Sequence, residues 1–133
     1  MVQSIKKHKA SMAWIHRHIN DPYVKQAQQQ GFRARSAFKL IGLDEKYDFF
    51  RPDTVVVDLG CAPGGWCQVA RQRFKAIGVS QDKIARQILG VDLLEMAPLP
   101  GVHFIQGDFR EEAPLKEIEM WLVATFQIGR AHV

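Results

Sequence analysis

Val57-Asp58-Leu59-Gly60-Cys61-Ala62-Pro63-Gly64-Gly65-Trp66 is the stretch from which the architecture can be read. Thr54, Val55 and Val56 precede it, so a β-branched run over 54–57 ends in Asp58. That is the form of a strand buried on both faces of a parallel sheet. Glycines at 60, 64 and 65 then mark a turn, and Trp66 to Phe74 has helical composition. Glycine lets the backbone approach a ligand closely, and the start of a helix presents unpaired amides. In open α/β sheets ligands sit beyond the carboxyl ends of the strands, where this loop falls.

Downstream, Gln87 to Val91 reads as a second strand ending at Asp92, and Val102 to Gln106 as a third followed by Gly107-Asp108. Strand, helix and strand in alternation predict an α/β chain with a partial, Rossmann-like doubly wound sheet. Upstream the pattern is helical. Asp21-Pro22 has the form of an N-cap and first helical position, and Gly31 suits the matching stop. Ala37, Leu40, Ile41 and Asp44 keep a three/four spacing, which predicts a second helix from near Ser36 to about Tyr47. Arg51-Pro52-Asp53 marks a turn. Nearer the start, Ser11 is placed to cap a short helix carrying Trp14, Ile15 and Ile19 inward. His16 and His18 would point about 200° apart on that helix, so they cannot share a metal and read as surface residues.

Composition narrows the class. The chain has 133 residues, 47% of them hydrophobic, and a formal net charge of +4. This is at most one domain, with enough apolar residues for a core. No apolar run approaches the roughly 18 residues of a membrane span. Lys6, Lys7 and Lys9 are not followed by an apolar stretch, so no secretory signal is expected and the cytoplasm is the expected location. Cys61 and Cys67 have no zinc-site spacing and no second ligand pair, so both read as small packing residues and no metal is expected. Charge is uneven: residues 1–51 carry ten Lys/Arg against four acids, and residues 52–133 carry eight against ten. A basic leading segment suits a phosphate-rich partner, although on charge alone a solvated surface is the better reading.

The glycine loop constrains its ligand. The dinucleotide pattern G-x-G-x-x-G is missing because position 62 is Ala, and the phosphate loop is missing because Trp66 and Cys67 follow Gly65. An adenosyl ligand without phosphates remains. Asp58, Asp92 and Asp108 each fall at or just after a strand end, which would bring three carboxylates to one edge of the sheet. Such groups suit ribose hydroxyls, an adenine amino group and a sulfonium cofactor; a single strand-end Asp would more simply cap the next helix.

Five segments together resemble the FtsJ-type family of ribosomal RNA large-subunit 2′-O-methyltransferases. They are Asp21-Pro-Tyr-Val-Lys-Gln-Ala27, Gly31-Phe-Arg-Ala-Arg-Ser-Ala-Phe-Lys39-Leu40, Val56 to Trp66, Asp92-Leu-Leu-Glu-Met96 and Gln106-Gly-Asp-Phe-Arg110. The resemblance runs over residues 11 to about 112. It implies S-adenosylmethionine as cofactor, held by Asp58, Gly60, Pro63, Gly64, Gly65, Trp66, Asp92 and Asp108. It implies that Lys39 is the first member of the family's Lys-Asp-Lys-Glu tetrad around the target ribose. A 2′-hydroxyl must be aligned with the sulfonium methyl and give up a proton, which a desolvated lysine near other cations could assist. Arg33 and Arg35 would be RNA phosphate contacts. The implied partner is ribosomal RNA within the large subunit, with a uridine as target, and the implied state is a monomer.

The chain departs from the family after the third strand. Where the family continues to a strand ending in Asp-Met-Ala-Pro, Leu115 to Phe126 is followed by no Asp, and no residue matches the second Lys or the Glu. Ile128-Gly-Arg-Ala-His-Val133 matches one reading frame of a widely used sequencing adapter, so the expectation is a C-terminally truncated chain with an artefactual tail. The expected organisation is a basic helical segment over 1–51 carrying RNA-facing residues, the first half of a methyltransferase domain over 52–114, and an aberrant tail over 115–133. With one tetrad member of four, the polypeptide is expected to be inactive. The competing expectation is a non-catalytic RNA-binding or S-adenosylmethionine-binding module; a nicotinamide-dependent oxidoreductase is disfavoured by the missing glycine pattern.

Overall fold

The computed structural model describes residues 21–131. The helix expected around Ser11, with His16 and His18, lies outside the described residues. In chain order the elements are α1 (Pro22–Gln29), α2 (Ser36–Tyr47), β1 (Val56–Leu59), α3 (Gly65–Ala76), α4 (Gln81–Ile84), β2 (Ile88–Asp92), β3 (His103–Gln106) and α5 (Glu112–Ala131). The strands form one parallel sheet in the order β1-β2-β3.

Local chemistry sets the helix starts. The Asp21 carboxylate accepts from the amides of Tyr23 and Val24, and Pro22 occupies the first helical position, so α1 begins where the sequence predicts. α2 runs over Ser36–Tyr47 as its apolar spacing requires, burying Ala37, Leu40 and Asp44. Asp44 is held there by Arg73 at 3.3 Å and by the Phe49 amide at 2.9 Å. The short α4 is capped by Ser80, whose hydroxyl accepts from the Lys83 amide.

Helices cover both faces of the sheet, as a doubly wound arrangement requires. On one face Ile88 packs with Cys67, Ala70 and Phe74 of α3. The same core contains Ala27, Phe32, Ala37, Leu40 and Phe50, so residues 21–51 share the core of the sheet. Phe50 and Phe74 meet edge to face at 5.3 Å. On the other face Leu89, Val91 and Ile105 pack with Ile118, Trp121 and Leu122 of α5.

The expectation that β1 is buried on both faces is corrected here. Val57 is in register with Leu89, and Leu59 with Val91, so these two side chains project to the α5 side. α5 lies over β2 and β3, leaving Val57 39% and Leu59 51% exposed. The strand also begins two residues later than predicted and includes Leu59. Residues 120–126 lie within α5. Among the described residues no helix is long and apolar enough to cross a membrane.

Candidate functional site

The glycine loop is bound to the end of β2. The amides of Gly60 and Cys61 both donate to the Val91 carbonyl, at 2.7 and 3.1 Å, and the Ala62 amide donates to Asp92 Oδ2 at 2.8 Å. Gly64 then turns with φ +116°, in the left-handed region that suits glycine, and α3 starts at Gly65. A Cβ at Gly64 would come within 3.1 Å of Met96 Sδ and 3.2 Å of Leu99 Cδ1. Below the loop, Gly90 of β2 makes room for both thiols: a Cβ there would lie 2.8 Å from Cys61 Sγ and 3.4 Å from Cys67 Sγ. The two cysteines are buried and unbonded to each other, in the packing role the sequence suggests.

Beyond the loop opens a cavity of about 380 Å³ lined by Ser36, Lys39, Asp58, Gly60, Pro63, Gly65 and Trp66, together with Leu59, Cys61 and Ala62. Six of the residues expected to act together are therefore brought to one space. Lys39 stands one turn into α2 with its side chain exposed, so the desolvation invoked for it is not found. Trp66 fastens that helix to α3, its indole nitrogen donating to the Ser36 carbonyl at 2.9 Å.

The three strand-end acids have different surroundings. Asp58 faces the cavity with the Cys67 thiol 3.6 Å from Oδ2, and no cation pairs with it among the described residues. Burial pushes its pKa up, and the nearby Asp92 adds to the effect. A half-buried acid without an ion-pair partner at a cavity wall is stabilised in its charged form by an incoming donor or positive charge. Asp92 is more fully used: Oδ1 accepts from the Leu94 amide at 2.9 Å while Oδ2 holds Ala62. Asp108 is gripped by Arg110, whose Nε and Nη2 reach its oxygens at 2.7–3.1 Å. These bonds hold the Asp108 carboxyl well below the usual range, at about 2. Neither Asp92 nor Asp108 lines the cavity, and Gly64 is buried beside it.

The two arginines expected to meet RNA each have partners within the chain. Arg33 donates to the carbonyls of Pro63, Ala97 and Pro98 at 3.2, 2.6 and 3.0 Å. Arg35 pairs with Asp21 and lies over the Tyr23 ring, 5.9 Å from its centroid. The Arg33 guanidinium thus bridges two segments. Sequence reasoning missed Ser36, Gln68 and Arg110. Arg110, two residues after Asp108, was within reach of a spacing argument. Gln68 gave no signal: its amide accepts from the Arg33 amide at 2.8 Å and donates to the Gly31 carbonyl at 3.1 Å, both far off in sequence.

An open, doubly wound α/β domain with a glycine loop and a carboxylate-edged cavity at the strand ends defines the class of this protein. The model of the FtsJ-like methyltransferases matches residues 32–129. The chain belongs to the FtsJ-like methyltransferase family. It is 51% identical over 115 residues to the ribosomal RNA large subunit methyltransferase E of Azoarcus sp. strain BH72, covering 86% of this chain and 52% of that protein. It is 54% identical over 112 residues to the protein of that name from Bordetella parapertussis, covering 84% of this chain and 52% of the relative. A crystal structure described as a ribosomal RNA methyltransferase from Plasmodium falciparum superposes with a TM-score of 0.52 at 38% identity, covering 65% of this chain and 49% of that one. The chain spans about half the length of the curated relatives it matches.

Proposed function

We propose that this chain forms the cofactor-binding half of an enzyme that methylates ribosomal RNA of the large subunit at a ribose 2′-hydroxyl, with a uridine as target. The observation that carries the reading is the cavity in which Lys39, Asp58, the glycine loop and Trp66 converge. Its chemistry fits S-adenosylmethionine. The lining offers a carboxylate without an ion-pair partner and lacks a phosphate loop, which favours a positively charged nucleoside over a nucleotide. When bound, that cofactor supplies an electrophilic methyl group on a sulfonium.

This chain's residues have separable tasks. Asp58 offers an acceptor for a donor or positive charge entering the cavity, and the glycine loop and Trp66 border the same space. Asp92 holds the loop through Ala62 and has lone pairs left for ribose hydroxyls. Asp108 would meet an adenine amino group only by sharing its carboxylate with Arg110. Lys39 is placed to stand beside the ribose, where a cation favours loss of the 2′-hydroxyl proton and orients the oxygen. Expected surroundings are the cytoplasm and the large ribosomal subunit.

One of the four tetrad positions implied by the family resemblance is present, so the 133-residue polypeptide is expected to bind cofactor without turning it over. A chimera joining residues 1–114 to the remaining half of the Azoarcus relative tests the catalytic part. With labelled methyl donor and unmodified large subunits, label should appear in a 2′-O-methylated nucleoside and vanish on Lys39→Ala. Label in a base, or a Lys39→Ala chimera as active as its parent, would contradict the reading.

A further inference from the structure

We infer that Arg33 is a positioning residue: its guanidinium locks the cofactor loop at Pro63 to the turn at Ala97 and Pro98, and so sets where Lys39 stands against the cavity. The inference rests on reading that cavity as the cofactor site. Three carbonyls converge on one side chain, from segments 30, 64 and 65 residues away. The bonds run from 2.6 to 3.2 Å and occupy both terminal nitrogens. These bonds use three of the five guanidinium N–H donors, leaving Nε and one Nη2 hydrogen. The fit is close: a Cβ at Gly64 would lie 3.3 Å from Arg33 Nη1, so the guanidinium lies against the backbone of the loop.

The main chain of Arg33 is anchored as well. Its amide donates to Gln68 of α3, and Gln68 in turn holds the Gly31 carbonyl. α2 begins three residues after Arg33 and carries Lys39 one turn on. A single residue therefore ties three parts together: the loop under the cofactor, the turn that follows β2, and the helix bearing the lysine. The fork holds all three at once: Nη1 serves Pro63 and Ala97 while Nη2 reaches Pro98. A lysine in its place keeps the charge but has a single nitrogen on a shorter stem, so it loses the Pro98 bond and the fixed planar geometry of the other two. Pro63, Ala97 and Pro98 are exposed, so water would satisfy the released carbonyls. Loss of the clamp should therefore loosen two segments without unfolding the chain.

The test is backbone amide exchange in Arg33→Lys, with Arg35→Gln as a control for lost charge in the same segment. Arg33→Lys should speed exchange about tenfold over residues 60–65 and 93–99 together, the size expected for losing one or two net hydrogen bonds. Arg35→Gln should leave both segments unchanged. Affinity for S-adenosylhomocysteine should fall about tenfold in Arg33→Lys, and in Arg33→Gln the salt dependence of RNA binding should stay as in the wild type. Wild-type exchange in both segments would overturn the inference. So would an Arg33→Gln chain with unchanged S-adenosylhomocysteine affinity whose RNA binding lost about one unit of salt slope, the signature of a phosphate contact. A wild-type chain that binds no S-adenosylhomocysteine would refute the cofactor reading, and exchange would still decide the clamp. Should Arg33→Lys fail to fold, Gln68→Met, which frees the Arg33 main chain, must loosen the same two segments or the clamp is refuted.

Discussion

The indole nitrogen of Trp66, at the start of α3, donates to the carbonyl of Ser36, the first residue of α2, across 2.9 Å. The ring that borders the cavity is thus also the fastening between the glycine loop and the helix that carries Lys39. Removing the donor while keeping most of the ring separates these roles. Trp66→Phe should cost about 1 kcal/mol of stability, the net worth of one hydrogen bond, and weaken S-adenosylhomocysteine binding several-fold. Urea unfolding and calorimetric titration measure the two; unchanged affinity would mean that Trp66 only packs.

Asp58 is held at a cost to the fold. Burial raises its pKa above the ordinary 3.8, so between that value and the raised one the folded state binds more protons than the unfolded chain. The stability tied to its protonated form is fully present below the unfolded pKa and is lost as pH rises through the folded one. Asp58→Asn should therefore melt higher than the wild type at pH 7, with the advantage shrinking toward pH 4. The same variant should bind cofactor more weakly. A lower melting temperature at pH 7 would refute the assignment.

The buried cysteines should be chemically quiet. Burial and the carboxylates of Asp58 and Asp92 push the Cys61 thiol up to about 11, and burial pushes the Cys67 thiol up further. The thiolate is the reactive species, so at pH 8 iodoacetamide should modify neither thiol in the folded chain and both after denaturation. Rapid labelling of the native protein would show that the loop over Gly90 opens.

Phe74 has no exposed surface and meets Phe50 edge to face. Truncation to Ala should cost about 3–5 kcal/mol in denaturant unfolding, because it removes apolar contact and leaves a cavity between α3 and the segment before β1. A loss below about 1 kcal/mol would mean that the core around α3 is loosely packed.

What could be read from the sequence was what local chemistry decides. α1 and α2 begin where Asp21-Pro22 and the Ala37-Leu40-Asp44 spacing place them, since caps and periodicity act within a few residues. The carboxyl edge of the sheet was legible because each strand ends near an acid or glycine. α4 was missed although Ser80 caps it, for a single turn leaves no periodic signal. The exposure of Val57 and Leu59 depends on where α5 lies, which the residues of β1 do not encode. The arginines show the same limit most clearly. Arg33 and Arg35 carry the charge an RNA contact needs, yet the partners of Arg33 stand 30 to 65 residues away and those of Arg35 lie in α1 and its cap.

Calorimetric titration of the chain with S-adenosylhomocysteine, following Trp66→Phe and Asp58→Asn beside the wild type, tests the central claim most directly. The account predicts one site per chain, weakened by either substitution. A chain shown to be folded by its circular dichroism that takes up no ligand at millimolar concentration would contradict it.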